Sequence, residues 1–301
     1  MRIVAKTDKG HVRDSNQDAY AVGEFSDEVV WAVVCDGMGG AAGGNIASAL
    51  AVKVISDKIN VSYREQMRDS SIKNMLDSAL NAANVEVFDM SESKHELKGM
   101  GTTVVCAIVK DGQAYIAHAG DSRAYILKNG KIFQITTDHS IVQDLLDKGK
   151  ITSEQALNHP NKNIITRAVG VDKNIEIDFD QIDLDDDTTL LLCTDGLSNY
   201  VSDSEILELT SDKKHYAFAD RLVNKANENI DIVCLSVADN GVGMDENICE
   251  SFLTAESKGY GARNVNDRIR LFYGEEYHLE VKSIVGAGTT IMIKFPIRLM
   301  E

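Results

Sequence analysis

Proline is nearly missing from this chain, with 2 among 301 residues, and tryptophan occurs once. So little proline rules out a polyproline linker or a proline-rich docking tract. Cysteine is sparse too: the five, at 35, 106, 193, 234 and 249, contain no CxxC pair. That spacing builds neither a zinc ribbon nor a dithiol redox motif. Four of the five sit in apolar runs such as VVCD and LLLCTD, where a thiol reads as a small buried hydrophobe, and a reducing compartment follows as an expectation. No apolar run approaches the length of a membrane span, and MRIVAKTDKGHVRD has no apolar core to serve as a signal peptide. A cytoplasmic location is therefore expected. Basic charge is the last deficit, with 31 Lys and Arg against 47 Asp and Glu and a net charge of −16. Such a field repels phosphate backbones and anionic lipid, so neither nucleic acid nor a membrane surface is an expected partner. It suits a protein that gathers carboxylates around cations.

What is present is an ordinary folded composition, 44% hydrophobic and 26% charged, in a length that allows one large domain or a medium one with an appendage. Strand patterns open the chain as RIVAKT, DAYAVGEF and EVVWAVVCD. The glycine-rich MGGAAGGN breaks them, and helices are predicted over about 46–59 and 63–90 from apolar spacing. Four strands follow (GTTVVCAIVK, QAYIAHAG, SRAYILKNG, KIFQIT), with DG at 111–112 and NG at 129–130 as hairpin turns. Residues 139–163 are polar and irregular, with two short helix candidates. Strands return as IEIDFDQI and TTLLLCTDG, then helices over 203–209 and 215–227. Elements grouped in blocks, without strict βαβ alternation, predict α+β layers.

Three apolar strands stop at an acidic residue: VVWAVVCDG at Asp36, YIAHAGD at Asp121 and LLLCTDG at Asp195. Strand ends at one edge of a buried sheet bring distant carboxylates together, and glycine after the acid allows close approach. Hard oxygen ligands without nearby histidine or thiolate favour Mg²⁺ or Mn²⁺, and two such ions can share a carboxylate and activate a water. A single Asp-Gly pair is usually just a turn; three after apolar strands carry more weight. His118, in AYIAHAG, reads as a satisfied core histidine, and DLDDD at 183–187 as a solvated acidic turn.

RDSNQD at 13–18, CDGMGG at 35–40, GTT at 101–103, GDSRAY at 120–125, DHS at 138–140, ITRAVG at 165–170 and TDGL at 194–197 together resemble the ordered motifs of the metal-dependent (PPM, type 2C) Ser/Thr protein phosphatases. The resemblance spans about 1–230. It implies two packed antiparallel sheets flanked by helices, a four-layer αββα arrangement, with metals in a cleft at one edge. It further implies that Asp36 bridges two core ions, Mn²⁺ or Mg²⁺, and that the Gly37 carbonyl ligates one of them. Asp195 would hold the second ion and, with Asp121, a weaker third. Arg13 would grip the substrate phosphate as a planar bidentate donor, and Asp18 would orient water behind the ions. The implied reaction is in-line attack of a metal-activated water on phosphoserine or phosphothreonine, without a phosphoenzyme. Met38, where some members carry a histidine, resembles bacterial members. Segment 139–163 matches the position of the family's flap. The implied partners are phosphoproteins, substrates of a Ser/Thr kinase, acted on by a monomer.

The resemblance breaks near residue 230. The family's Gly-Gly-x-Asp-Asn turn, whose aspartate is a metal ligand, is missing; the helix leads through Ile230 and Asp231 straight into IVCLSV. DNGVGMD and the GYGARNVNDRIRLFYGEEYHLEVKSIVGAGTTIMIKFP tail resemble the glycine boxes and last strands of sensor histidine kinase ATP-binding domains. That likeness implies a nucleotide pocket at Asp239, Gly241, Gly243, Gly259 and Gly261. No phospho-acceptor helix accompanies it, so the expectation is a phosphatase domain over 1–237 joined to a partial α/β kinase-like segment over 238–301, a recombinant-type junction. Asp231 and Asp239 are eight residues apart, about 26 Å along an extended strand, so they cannot share one metal site. Asp231 is assigned to the metal and Asp239 to the nucleotide remnant. The leading function is a Mn- or Mg-dependent protein phosphatase. The alternatives are a nucleotide-binding or regulatory fusion with impaired phosphatase activity, and a non-catalytic scaffold.

Overall fold

Period-two alternation in β2 (Val29–Met38) organises the first part of the chain: Trp31, Val33 and Cys35 face one core, while Val30 and Val34 face another. In this computed structural model the described residues are 1–10, 15–26, 28–157, 159–185, 187–211, 215–229, 232–245, 252, 260–273 and 278–296. The chain divides into two compact units, Met1–Lys9 with Ser15–Ala226, and Gly10–Asp14 with Asn227–Glu301.

In the first unit β2 pairs antiparallel with β1 (Asp18–Ser26) and β4 (Val104–Lys110). The sheet continues through β5 (Gln113–Ala119) to β8 (Asp178–Asp183), and the two-residue β3 (Gly101–Thr102) pairs with the end of β2. A second antiparallel sheet runs β7 (Lys131–Gln134), β6 (Arg123–Lys128), β9 (Thr189–Cys193). Two long helices, α1 (Gly40–Ser62) and α2 (Asp69–Ser93), cover the outer face of the first sheet. There Ile55, Ile59, Ile72, Leu76 and Leu80 meet Trp31, Cys106 and Ile108, all buried; each large apolar side chain so buried stabilises by about 1.5–3 kcal/mol. The opposite faces of β2, β4 and β5 (Val30, Val105, Ile116) pack on Ala124, Leu190 and Leu192 of the second sheet. Beyond that sheet, Tyr125 and Leu127 pack on Ile206 of α6 (Asp203–Thr210) and on Leu222 and Ala226 of α7 (Phe218–Asn229). Helix–sheet–sheet–helix is the four-layer α+β arrangement expected.

The turns follow their residues. Asp111–Gly112 and Asn129–Gly130 all take positive φ, the conformation of tight hairpins that these dipeptides tolerate. The segment 139–163 holds two short helices, α3 (Ile141–Asp147) and α4 (Ser153–Leu157). Between β9 and α6 the four-residue α5 (Asp195–Ser198) begins at Asp195.

Two local expectations differ. RIVAKT was predicted as a strand, but residues 1–9 join no ladder and Ile3 and Val4 are exposed; alternation supplies a face, not a pairing partner. The glycine run at 39–44 was expected to interrupt the chain, yet α1 starts at Gly40. Close packing overrides the low helix propensity there: a Cβ on Gly44 would lie 2.7 Å from the Gly37 carbonyl oxygen.

In the second unit β10 (Ile232–Ala238) pairs along its whole length with β12 (Gly288–Pro296), which pairs with β11 (Leu279–Ile284) in a three-stranded antiparallel sheet. The helix α8 (Tyr260–Tyr273) places the buried Asn266, whose Oδ1 accepts from Leu279 N–H at 2.8 Å. The boundary expected at 237/238 lies at the far end of β10, whereas the units divide before that strand begins. No helix among the described residues is long and apolar enough to cross a membrane.

Candidate metal centre

Near the end of β2, Asp36 lies directly across from Asp18 at the start of β1. Like charges facing each other across a ladder are unfavourable unless something cationic or a proton relieves them. The main chain of Asp36 is held from the side by the GTT segment. Thr102 Oγ1–H donates to its carbonyl at 2.8 Å, Thr103 N–H donates to the same carbonyl at 2.9 Å, and Asp36 N–H donates to Thr103 Oγ1 at 3.0 Å. With its peptide groups bonded this way, the half-buried carboxyl is left for other partners. Next to it, Gly37 N–H donates to the Gln17 carbonyl at 3.0 Å. A Cβ at Gly37 would lie 1.9 Å from the Gly44 carbonyl oxygen, so only glycine brings this backbone so close to the start of α1.

The second sheet supplies two more carboxylates. Arg123 and Cys193 are cross-strand partners, and Asp121 and Asp195 stand two residues beyond them in their respective chains, at the same end of the β6–β9 ladder. Ser122 Oγ lies 2.7 Å from Thr103 Oγ1, tying the Asp121 turn to the segment that holds Asp36. Thr194 Oγ1–H donates to Asp18 at 2.8 Å, and Asn199 Nδ2–H donates to Asp195 at 2.9 Å.

Burial, then the charges of Asp195 and Asp18, push the Asp36 carboxyl well above the usual carboxylate range. Burial, then Asp195 and Asp138, push Asp121 up to about 7. Carboxyl groups this close are relieved by a proton or by a cation. The donor set is all oxygen, and Cys35, the nearest thiol in sequence, is buried with its pKa raised first by burial, which leaves it protonated. Oxygen ligands and mutual charge pressure fit hard divalent ions such as Mg²⁺ or Mn²⁺.

Of the residues predicted for this centre, Asp18 faces Asp36 across the β1–β2 ladder, Gly37 follows Asp36 in β2, and Asp121 and Asp195 lie at one end of the β6–β9 ladder. Arg13 and Asp231 lie outside the described residues. Sequence reasoning gave Thr102, Thr103, His139, Arg167 and Asp178 no role, although GTT, DHS and ITRAVG had been noted as motifs; Asp178 carries no local signal at all.

The DHS residues each make a distinct contact. Asp138 receives a bidentate grip from Arg123 (Nε at 2.9 Å and Nη2 at 2.7 Å), and Ser140 Oγ caps α3 by accepting from Gln143 N–H. His139 is buried, its ring stacked on His118 with centroids 4.6 Å apart. His118, expected to be a fully satisfied core histidine, is half so: Nε2 bonds the Thr137 carbonyl at 2.9 Å while Nδ1 has no hydrogen-bond partner. Nor is it without metal-type neighbours, since ligand atoms of His118, His139 and Asp178 lie within 4.8 Å of one another. The rings stack in near-parallel planes, and the Arg167 guanidinium already sits 2.8 Å from Asp178, so a cation is supplied by the chain itself.

In the second unit Asp239 is exposed, and its Oδ1 accepts from Gly241 N–H at 2.7 Å. Gly243 has φ +67 and lies against the Ile284 carbonyl, where a Cβ would come within 2.1 Å. Gly261 lies in α8 and Gly259 is outside the described residues.

The four-layer αββα fold, with carboxylates gathered at the ends of both sheets, is shared with solved serine/threonine phosphatases. The sequence matches Protein phosphatase 2C over residues 8–236, and the Histidine kinase-, DNA gyrase B-, and HSP90-like ATPase over 213–299. The chain is 40% identical over 231 residues to the serine/threonine phosphatase stp of Listeria monocytogenes, covering 75% of this chain and 90% of that one. The crystal structure of Stp1 from Staphylococcus aureus is 27% identical with a TM-score of 0.70, over 99% of this chain and 98% of that one. The catalytic domain of PstP, solved in complex with two manganese ions, shares the fold at 24% identity and a TM-score of 0.65, over 98% of this chain and 97% of that one. The chain belongs to the protein phosphatase 2C family, the metal-dependent serine/threonine protein phosphatases.

Proposed function

We propose that Asp36, the Gly37 carbonyl and Asp195 hold two divalent ions, with Asp121 and Asp195 serving a third, weaker site, and that this centre hydrolyses phosphoserine and phosphothreonine in phosphoproteins. The observation that carries the reading is geometric: Asp18 faces the half-buried Asp36 across the β1–β2 ladder, and Asp121 and Asp195 stand together at one end of the β6–β9 ladder. Bound divalent ions supply a nucleophilic water and neutralise charge on the phosphoryl oxygens. Asp18, facing Asp36 across the ladder, orients water at the centre. Thr102 and Thr103 hold Asp36 by its backbone so that its carboxyl stays aimed at the cluster. Arg13 receives the substrate phosphate, where a fixed fork of N–H donors fits two oxygens. Mn²⁺ is the first ion to try, because one solved protein of this fold holds two.

The remaining metal ligand is Asp231, at the point where the phosphatase and ATPase-like matches overlap. We place the junction between a phosphatase and a partial kinase-like segment there. The substrates are products of a Ser/Thr kinase, the enzyme works as a monomer, and the location is cytoplasmic; the curated relative is a serine/threonine phosphatase matched over nearly its whole length, which supports the phosphatase reading over a nucleotide-binding one. The test is hydrolysis of a phosphothreonine peptide titrated with Mn²⁺, for the intact chain, Asp36→Asn and Asp231→Ala. Metal-dependent turnover lost in Asp36→Asn supports the reading; turnover retained there refutes it. A Mn²⁺ titration unchanged in Asp231→Ala removes Asp231 from the ligand set.

A further inference from the structure

We propose that His139 is a positioning residue for the outer cation site, locked by Asp178 into the one tautomer that can clasp the Gly120–Asp121 turn. The proposal rests on the assignment of Asp121 to a cation. Two bonds join His139 to Gly120. His139 N–H donates to the Gly120 carbonyl at 2.9 Å, and Gly120 N–H donates to the ring Nδ1 at 3.1 Å. Gly120 has φ +114, and a Cβ there would lie 2.7 Å from Thr103 Cβ, so the turn is both strained for other residues and enclosed. The next residue is Asp121.

An acceptor at Nδ1 places the proton of a neutral imidazole on Nε2. That N–H faces Asp178, whose Oδ2 is 3.2 Å away, while Oδ1 accepts from Arg167 Nη1 at 2.8 Å. Arg167 Nη1 also lies 3.1 Å from Nε2; since a guanidinium only donates, the two N–H groups meet through their shared acceptor Asp178 and do not bond each other, while Nη2 reaches Glu176 at 3.1 Å. The ring is buried and stacked on His118. The chain of contacts therefore runs from Arg167 through Asp178 and His139 to the amide that precedes Asp121. Asp178 does for this ring what an orienting carboxylate does for any imidazole: it fixes which nitrogen is free to accept.

The atoms of this relay can be replaced separately. His139→Asn puts a carbonyl oxygen close to where Nδ1 stands and keeps an acceptor for Gly120 N–H. His139→Gln carries its polar atoms to the level of Nε2 and removes that acceptor. Asp178→Asn presents an amide N–H to Nε2, which favours the tautomer with its proton on Nδ1, facing Gly120 N–H. Asp178 is half exposed, so this variant is readily accommodated.

The experiment is Mn²⁺ binding to the intact chain, read by the EPR signal of free Mn²⁺, alongside hydrolysis of a phosphothreonine peptide. The expected result is that His139→Gln and Asp178→Asn each weaken the weakest class of Mn²⁺ sites by about tenfold, as loss of an orienting partner does. The tight class is expected to stay unchanged, and His139→Asn to stay within about threefold of the native chain. Asp121→Asn is the control. If it weakens that class but His139→Gln and Asp178→Asn do not, or if His139→Asn loses as much as His139→Gln, the clasp is refuted while the Asp121 assignment stands. If Asp121→Asn binds Mn²⁺ as the native chain does, the assignment itself falls and the proposal falls with it.

Discussion

Asp36 in the first unit and Asp239 in the second both stand near the end of an apolar strand with a glycine one or two residues on, yet their carboxyls end in opposite circumstances. At Asp36 the threonines of the GTT segment occupy the peptide groups, and the side chain is pressed by Asp195 and Asp18. At Asp239 the carboxyl itself closes the turn by accepting from Gly241 N–H, and it stands exposed. The local pattern is shared; what differs is the number of carboxylates the surrounding sheets bring to the same end. An aspartate at a strand end is left free for other partners when neighbouring elements occupy its backbone and crowd its side chain.

The contrast can be broken most severely by charge removal. Asp36→Asn is expected to lower Mn²⁺-dependent hydrolysis of a phosphothreonine peptide by ~10²–10³-fold or more, the scale of losing a main electrostatic contributor, while Asp239→Asn leaves it within about twofold. Steady-state rates on the two variants check both arms.

The next effect is on stability and pH in chelator-treated protein. The folded Asp121 carboxyl titrates at about 7 against an ordinary value of 3.8, so the folded state holds the extra proton between those values. Stability therefore falls as pH rises from about 4 to about 7, by on the order of 4 kcal/mol for that group, and Asp36 acts in the same direction. Urea unfolding at pH 5 and pH 7.5 should show a loss that shrinks in Asp121→Asn and on adding Mn²⁺. A loss of the same size in Asp121→Asn would contradict this.

Smaller still is the backbone clamp. Thr103→Val removes the acceptor for Asp36 N–H and the link to Ser122, and should cost about 1–3 kcal/mol of stability with a matching rise in the Mn²⁺ needed for half-activation. The smallest effect belongs to Asp239→Asn, where an exposed turn bond is replaced by a weaker one and unfolding should change by less than about 1 kcal/mol.

Much of this was legible beforehand because it is written locally. The strand-end positions of Asp36, Asp121 and Asp195, the hairpins at Asp111–Gly112 and Asn129–Gly130, and the two helices in 139–163 all rest on short-range patterns. What was not legible depends on register and partners. Asp18 faces Asp36 only because β1 and β2 pair as they do. His139 and Asp178 come together across thirty-nine residues with no sequence spacing to signal it. RIVAKT alternates like a strand without pairing as one, and β10, which both family patterns claim, is paired in the second unit by β12 along its full length.

The central claim, that the carboxylates at 36, 121 and 195 form a cation centre, is tested most directly by thermal unfolding of the intact chain with and without Mn²⁺. Binding to the native state must raise the midpoint in proportion to ligand concentration over Kd. The midpoint should rise with Mn²⁺ in the native chain and in Asp239→Asn, and not in Asp36→Asn. A rise that survives Asp36→Asn, or no rise in the native chain, would contradict it.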